Sequence, residues 1–117
     1  MKKVYYLSTC STCTRILNEL GALVADFEKQ DIKTQTMTFE QVDQMKDLSG
    51  SYESLFSRKA MKFRSMGLGE KTLTENDYRK LIQEEYTFLK RPVFIVNDEI
   101  FIGNSKKVIE ALTAHLR

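Results

Sequence analysis

The chain has 117 residues, a length that suits one domain with a substantial hydrophobic core. Hydrophobic residues make up 42% and charged residues 29%, and the net charge of +2 is too small to indicate nucleic-acid binding by itself. No apolar run approaches the roughly 20 residues that a membrane span needs. The apolar stretch near the first residues is too short for a signal peptide, so we expect a cytoplasmic location and no membrane partner.

The two cysteines, Cys10 and Cys13, are three positions apart. A structural disulfide stabilises a protein by closing a long loop, and this pair would close almost none. His115 is the one histidine, and with two cysteines it leaves too few ligands for a structural zinc site. We therefore expect no bound metal and look for thiol chemistry instead.

The first third of the chain predicts a strand, a helix and a second strand. Residues 3–7 include β-branched and aromatic side chains and no breakers, which favours a short buried strand. Apolar side chains then recur at helical spacing over residues 13–27, and Ser11 or Thr12 is expected to cap this helix. Residues 33–39 alternate and are rich in threonine, so they predict a second, half-exposed strand.

The middle of the chain predicts helices. Thr38 with Gln41, and Thr74 with Asp77, each have the spacing of a capping box, in which two polar groups satisfy the free N–H groups of a helix start. Glycines separate these stretches. The helices expected here cover residues 39–48, residues 52–66 and a stretch that begins at Thr74 and includes Tyr86.

The last third predicts a hairpin and a final helix. Residues 93–96 are an apolar strand, and Asn97 with Asp98 supplies a tight turn into a second strand over residues 100–102. An amphipathic helix follows Gly103.

This order of elements predicts an α/β protein with the thioredoxin-like layout. A β1-α1-β2 unit is followed by an inserted helical block, a β3-β4 hairpin and a C-terminal helix, which gives a mixed central sheet with flanking helices. We expect a single domain over residues 1–117, with the helical insertion at about residues 40–88.

The Cys-Ser-Thr-Cys motif falls at the junction between the first strand and the first helix. Free N–H groups at a helix N-terminus stabilise a thiolate, so Cys10 is expected to be the exposed nucleophile and Cys13 the buried thiol that could resolve a mixed disulfide. Ser11 and Thr12 add hydroxyl and amide groups that suit an oxyanion. The alternative is that both cysteines are small buried hydrophobic groups, and the resolving role of Cys13 is left open.

Pro92, the one proline, stands at the entrance to a predicted strand, where a cis peptide bond is a specific use of proline. In the thioredoxin layout this turn faces the reactive cysteine, so Arg91 would present its guanidinium to Cys10 and lower the thiol pKa. The alternative is an arginine that simply faces solvent.

Three segments together resemble the arsenate reductase (ArsC) family. They are residues 6–13 (YLSTCSTC), residues 55–58 (LFSR) and residues 89–94 (LKRPVF). The resemblance covers essentially the whole chain and includes two branches, the glutaredoxin-coupled arsenate reductases and the Spx-type regulators.

The reductase branch implies that Cys10 attacks a small oxyanion while arginines hold it. Arg91 matches the family arginine before the proline, and Arg58 lies within one residue of another. The arginine that follows the family motif is displaced here to Arg15, and Asn104 to Lys106 contain no match for the last one. The resemblance implies no bound cofactor, with glutathione, glutaredoxin or thioredoxin as reductant.

The Spx-type branch implies a different function on the same residues. In that branch a C-x-x-C pair forms a redox switch, and the protein docks on RNA polymerase without binding nucleic acid directly. Our first hypothesis is a thiol-dependent oxidoreductase that acts on an oxyanion or a disulfide, and the alternative is a redox-sensing regulator.

Overall fold

The computed structural model describes residues 1–117, and its contacts divide the chain into two compact units. The first unit consists of Met1–Gln35 and Arg91–Arg117, and the second is Thr36–Lys90. No helix in either unit is both long enough and apolar enough to cross a bilayer. The expectation that the two units form one domain stays a prediction.

The first unit is built on a four-stranded mixed sheet in the order β2-β1-β3-β4. Strand β1 (Lys2–Tyr6) pairs parallel with β2 (Glu28–Asp31) and antiparallel with β3 (Val93–Val96), which pairs antiparallel with β4 (Glu99–Ile102). Asn97 makes the tight turn between β3 and β4, with φ of +57°. The α/β fold, the mixed sheet and the hairpin predicted from the sequence are confirmed.

Helix α1 (Ser11–Leu20) follows β1 and is shorter than predicted. It ends at Gly21, whose φ of +47° suits glycine and breaks the helical path. A 3-10 turn over Gly21–Val24 then replaces the expected continuation to residue 27. The prediction that Ser11 or Thr12 caps α1 is also wrong, because both residues lie inside the helix. The N-cap position is Cys10, whose side chain makes no capping hydrogen bond.

The second strand lies earlier than predicted. Residues 33–39 form no strand, and β2 is the charged tetrapeptide Glu28–Asp31 instead. Three of its four side chains are charged, so local composition argues against a strand. The strand forms because its backbone pairs with β1 and because the Gln30 side chain is buried. The Gln30 side-chain amide donates to the Gln35 carbonyl at 3.0 Å.

One face of the sheet packs under α1 and the C-terminal helix α5 (Lys106–Leu116). Phe27 and Phe94 meet edge to face here, with ring centroids 6.1 Å apart. Burying this much apolar side-chain surface is the main stabilising contribution of the first unit. The buried members of this core are Val4, Ile16, Leu20, Val24, Phe27, Phe94, Val96 and Leu112.

The second unit is helical and begins with α2 (Phe39–Ser49). At the N-terminus of α2, the Thr38 hydroxyl accepts from the Gln41 N–H and the Gln41 side chain accepts from the Thr38 N–H. Its last long helix is α4 (Glu75–Glu84), where Thr74 and Asp77 form the second capping box. Both capping boxes predicted from the sequence are confirmed, because this spacing directly satisfies free N–H groups at a helix start.

The predicted helix over residues 52–66 is wrong. A 3-10 turn over Glu53–Leu55 is followed by extended backbone at Phe56, which pairs with Leu89 as an isolated bridge. Phe56 is fully buried against the rings of Tyr78 and Phe88, and this tertiary packing overrides the local helical pattern. Only Met61–Ser65 forms a helix, α3.

The helix predicted from Thr74 also ends before Tyr86. Tyr86 begins a separate 3-10 turn, Tyr86–Phe88, because Glu85 adopts extended backbone and stops α4.

Candidate active site around Cys10 and Cys13

The C-x-x-C motif lies where β1 passes into α1. The Cys10 N–H donates to the Leu7 carbonyl at 3.0 Å, and the Cys10 carbonyl accepts from the Thr14 N–H at 3.2 Å. These bonds place the Cys10 side chain at the helix N-terminus. Cys10 is partly exposed, whereas Cys13, one turn into the helix, is fully buried. Only Cys10 is therefore accessible to a reagent in solution.

The environment of Cys10 favours its thiolate. Partial burial works against the charge, but hydrogen bonds from the backbone N–H and the thiol of Cys13, the positive charge of Arg91 and the Thr12 N–H outweigh it. Together they hold the pKa of Cys10 below the ordinary thiol value. A larger fraction of Cys10 is consequently ionised near neutral pH than in an unperturbed cysteine.

The environment of Cys13 has the opposite effect. Burial is the largest cause of a pKa raised to about 11 at this thiol. A hydrogen bond from the Leu7 backbone lowers the pKa, the hydrogen bond and negative charge of Cys10 raise it, and the positive charge of Arg91 lowers it by the smallest amount. Cys13 is thus a neutral thiol that donates a hydrogen bond to the Cys10 sulfur. The two thiol pKa values are shifted in opposite directions, because hydrogen bonds and the Arg91 charge stabilise the Cys10 thiolate whereas burial disfavours the charged form of Cys13.

Arg91 and Pro92 form the second part of the site. The peptide bond between them is cis, and the Arg91 charge lowers the pKa of both thiols. The turn is tied to the segment after β4, because the Asn104 side-chain amide donates to the Arg91 carbonyl at 3.4 Å and the Gly103 N–H donates to the Pro92 carbonyl at 2.9 Å.

A carboxylate that sequence analysis did not single out holds the loop before Cys10. Asp31, at the end of β2, accepts hydrogen bonds from the Ser8 hydroxyl at 2.5 Å, the Ser8 N–H at 3.3 Å and the Lys33 N–H at 3.2 Å. The Ser8 hydroxyl bond is the main cause of a lowered pKa at Asp31. Because β1 and β2 are parallel, their carboxyl ends meet at one edge of the sheet, where Asp31 lies next to Ser8. The sequence did not indicate this contact, because the predicted second strand covered residues 33–39 and Asp31 lay outside it.

The other residues that the sequence suggested for an oxyanion site lie partly on α1 and partly in the second unit. Ser11 and Thr12 begin α1 directly after Cys10. Arg15 is exposed further along α1 and pairs with Glu19 at 3.0 Å. Arg58 belongs to the second unit, where its guanidinium donates to Glu53 and to the Tyr78 hydroxyl, both at 2.8 Å. The oxyanion roles of Arg15 and Arg58 stay predictions.

No three carboxylate, thiol or imidazole side chains lie close enough together to hold a metal ion. The chemical groups of the site are a thiol with a lowered pKa, a neutral thiol, one guanidinium, and the hydroxyls and N–H groups of the first turn of α1.

The chain is similar to known regulatory proteins and to the solved structure of a possible arsenate reductase. The regulatory protein MgsR of Bacillus subtilis is 22% identical over 100 residues, covering 85% of this chain and 79% of its own length. The global transcriptional regulator Spx 2 of Bacillus anthracis is 23% identical over 120 residues, covering all of this chain and 91% of its own. The structure of a possible arsenate reductase from Streptococcus mutans is 25% identical, with a TM-score of 0.76 over 96% of this chain and 97% of that one.

The sequence pattern of the ArsC family matches residues 5–112, a span that contains the C-x-x-C motif, the helical unit and the Arg-Pro turn. With its thioredoxin-like sheet and its cysteine motif at the first strand–helix junction, the chain belongs to the ArsC family.

Proposed function

We propose that the protein is a thiol-dependent oxidoreductase in which Cys10 attacks a small oxyanion or a disulfide. The observation that carries the proposal is the contrast between two neighbouring thiols, one partly exposed with a lowered pKa and one buried with a pKa of about 11. A structural pair of cysteines would need no such contrast, whereas a nucleophile and its resolving partner do.

With a disulfide substrate, the Cys10 thiolate attacks one sulfur and the substrate S–S bond breaks. The released thiolate takes a proton from solvent, and a mixed disulfide remains on Cys10. With arsenate, the same thiolate attacks the arsenic, one As–O bond breaks, and the departing hydroxyl group takes a proton from solvent and leaves as water. A thiol such as glutathione then attacks the Cys10 sulfur, the S–As bond breaks with its electron pair on arsenic, and arsenite and a mixed disulfide result. Arg91 and the N–H groups of Ser11 and Thr12 are proposed to hold the oxyanion.

Cys13 is proposed to resolve the mixed disulfide on Cys10. Formation of that intermediate removes the negative charge and hydrogen bond of Cys10, two of the causes that raise the Cys13 pKa. Cys13 then ionises more readily, attacks Cys10 and expels the second thiol. The protein is left as a Cys10–Cys13 disulfide, two electrons more oxidised than at the start. Glutathione, glutaredoxin or thioredoxin is proposed to return those electrons, which fits a reducing cytoplasm.

The test is turnover of arsenate, and of a mixed disulfide of glutathione, with glutathione and glutaredoxin as electron donors. We expect turnover by the wild type and none by Cys10→Ser, with Cys13→Ser as the matched control that keeps the nucleophile. Equal turnover by wild type and Cys10→Ser would contradict the proposal, as would the absence of turnover on both substrates.

A second candidate function is redox-responsive regulation through contact with RNA polymerase. It is favoured by the two relatives named as regulators, one of which aligns with the whole of this chain. The Cys10–Cys13 disulfide would then be a switch and not a catalytic intermediate. Specific retention of RNA polymerase by one oxidation state only, together with no turnover of either substrate, would support this candidate.

A further inference from the structure

A strong concentration of positive charge lies in residues 57–71 of the second unit. This segment contains five cationic side chains and one acidic side chain, Glu70, a net charge of +4. The whole chain carries only +2, so all remaining residues together carry −2. The cationic residues are Arg58, Lys59, Lys62, Arg64 and Lys71.

The same segment encloses a cleft of about 720 Å³, a size that accommodates several side chains of a partner. Its lining combines three cationic side chains and one acidic side chain, Glu70, with the ring of Phe63 and the side chain of Met61. The three cations are Arg58, Lys59 and Arg64. The cleft lies wholly inside the second unit and shares no residue with the Cys10 site.

Two apolar side chains of this segment are exposed. Met61 is 88% exposed and Met66 is 48% exposed. Methionine is flexible and polarisable, and exposed methionines are characteristic of surfaces that adapt to protein partners. Contiguous exposed apolar patches that are rimmed by polar residues mark sites of interaction with proteins or other ligands.

Part of the positive charge is not neutralised within the protein. Arg58 pairs with Glu53, and Lys62 pairs with Glu85 at 3.1 Å. Lys59 and Arg64 are exposed and form no ion pair with another residue of the chain. These two cations are therefore available to a ligand of opposite charge at no cost of breaking an internal pair.

We propose that this cleft docks an acidic protein segment that carries apolar side chains. Lys59 and Arg64 would contact carboxylates of the partner, and Met61 would pack on its apolar groups. The observations favour a peptide over a nucleic acid, because the apolar contacts have no equivalent on a phosphate backbone and the remainder of the chain carries net negative charge.

The test is fluorescence anisotropy with a short labelled peptide in which pairs of glutamates alternate with leucines. One control peptide has lysine in place of glutamate, and another has serine in place of leucine. A DNA duplex and a single-stranded oligonucleotide are measured under the same salt conditions. The full chain is used in its wild-type, Lys59→Glu/Arg64→Glu, Met61→Ser and Cys10→Ser forms. Lys106→Glu/Lys107→Glu, two exposed lysines of α5 in the first unit, is the matched charge-reversal control.

We expect the acidic, leucine-containing peptide to bind more tightly than all other probes. Lys59→Glu/Arg64→Glu should weaken this binding about tenfold or more, and Met61→Ser severalfold, while the control pair and Cys10→Ser bind as the wild type does. Because Cys10→Ser separates the two sites, loss of catalysis and loss of docking are distinguishable.

Several results would overturn the proposal. They are equal weakening by the control pair, tighter binding of DNA than of the peptide, unchanged binding by the Lys59→Glu/Arg64→Glu variant, and no binding of the acidic peptide. Self-association of the chain that disappears in Lys59→Glu/Arg64→Glu, measured by sedimentation in the absence of peptide binding, would instead assign the surface to a second copy. Circular dichroism and urea unfolding establish that each variant folds.

Discussion

Replacing Asp31 with alanine removes the carboxylate that holds the loop before Cys10. Three hydrogen bonds are lost, two from Ser8 and one from the Lys33 N–H. A hydrogen bond to a charged group contributes about 1.5–3 kcal/mol, but this carboxylate is only partly buried and water competes for it, so we take about 0.5 kcal/mol for each. The free energy of unfolding should therefore fall by about 1.5 kcal/mol, which corresponds to a melting temperature lower by roughly 6 °C.

The loss should also depend on pH, with a sign set by the lowered pKa of Asp31. A carboxylate with a depressed pKa in the folded state stabilises the protein above its unfolded value of about 3.9. That stabilisation disappears as the pH falls through the folded-state pKa. The difference between wild type and Asp31→Ala should thus be full near neutral pH and decline in acid.

The assay is urea unfolding of the wild type and Asp31→Ala, from neutral pH down to below the unfolded-state pKa of about 3.9. Asp31→Asn retains an acceptor oxygen without the charge and should lose less than Asp31→Ala. The matched control is Asp26→Ala, which removes an exposed carboxylate whose side-chain contact is Lys2 at 3.4 Å, and which should cost no more than about 0.5 kcal/mol. If Asp31→Ala costs no more than Asp26→Ala, or costs the same in acid as at neutral pH, Asp31 does not hold this loop through its charge.

Three further predictions concern the site and the core that supports it. Arg91→Ala should raise the pKa of Cys10 and slow its alkylation a few-fold near neutral pH, and Arg91→Lys should do so less, measured by thiolate absorbance; an unchanged titration would place the guanidinium away from the thiol. Under mild peroxide the wild type should lose two hydrogens to a Cys10–Cys13 disulfide, whereas Cys13→Ser should over-oxidise at Cys10, as read by intact mass; equal over-oxidation would refute a resolving role. Phe94→Ala should lower the free energy of unfolding by about 3–5 kcal/mol, since this fully buried ring packs edge to face on Phe27, and a loss below about 1 kcal/mol would contradict that packing.

The features that sequence analysis predicted correctly are those with a local physical cause. The capping boxes at Thr38 and Thr74 satisfy N–H groups three residues away, so the pattern and its structural effect lie in one short window. Asn97 likewise makes the hairpin turn through its own backbone conformation. The position of Cys10 at the start of α1 followed from the boundary between an apolar strand and an amphipathic helix.

The features that sequence analysis missed depend on distant parts of the chain. Strand β2 has a charged composition and exists because its backbone pairs with β1. Phe56 leaves the helical pattern because a bridge to Leu89 and the rings around it bury its side chain. Because the second strand was predicted at residues 33–39, Asp31 was not expected at the end of a strand beside Ser8. The sequence therefore did not indicate that Asp31 holds the loop before Cys10.

The most direct test of the central claim is the pH dependence of alkylation at each thiol of the reduced wild-type protein. Limiting reagent is added across a range of pH, and the label on Cys10 and Cys13 is separated by peptide mass spectrometry. Cys10 should react with a midpoint below the ordinary thiol value of about 8.5, while Cys13 stays unlabelled until the solution is strongly alkaline, as burial and a pKa of about 11 require. Preferential labelling of Cys13, or one common midpoint for both thiols, would contradict the assignment of Cys10 as the nucleophile.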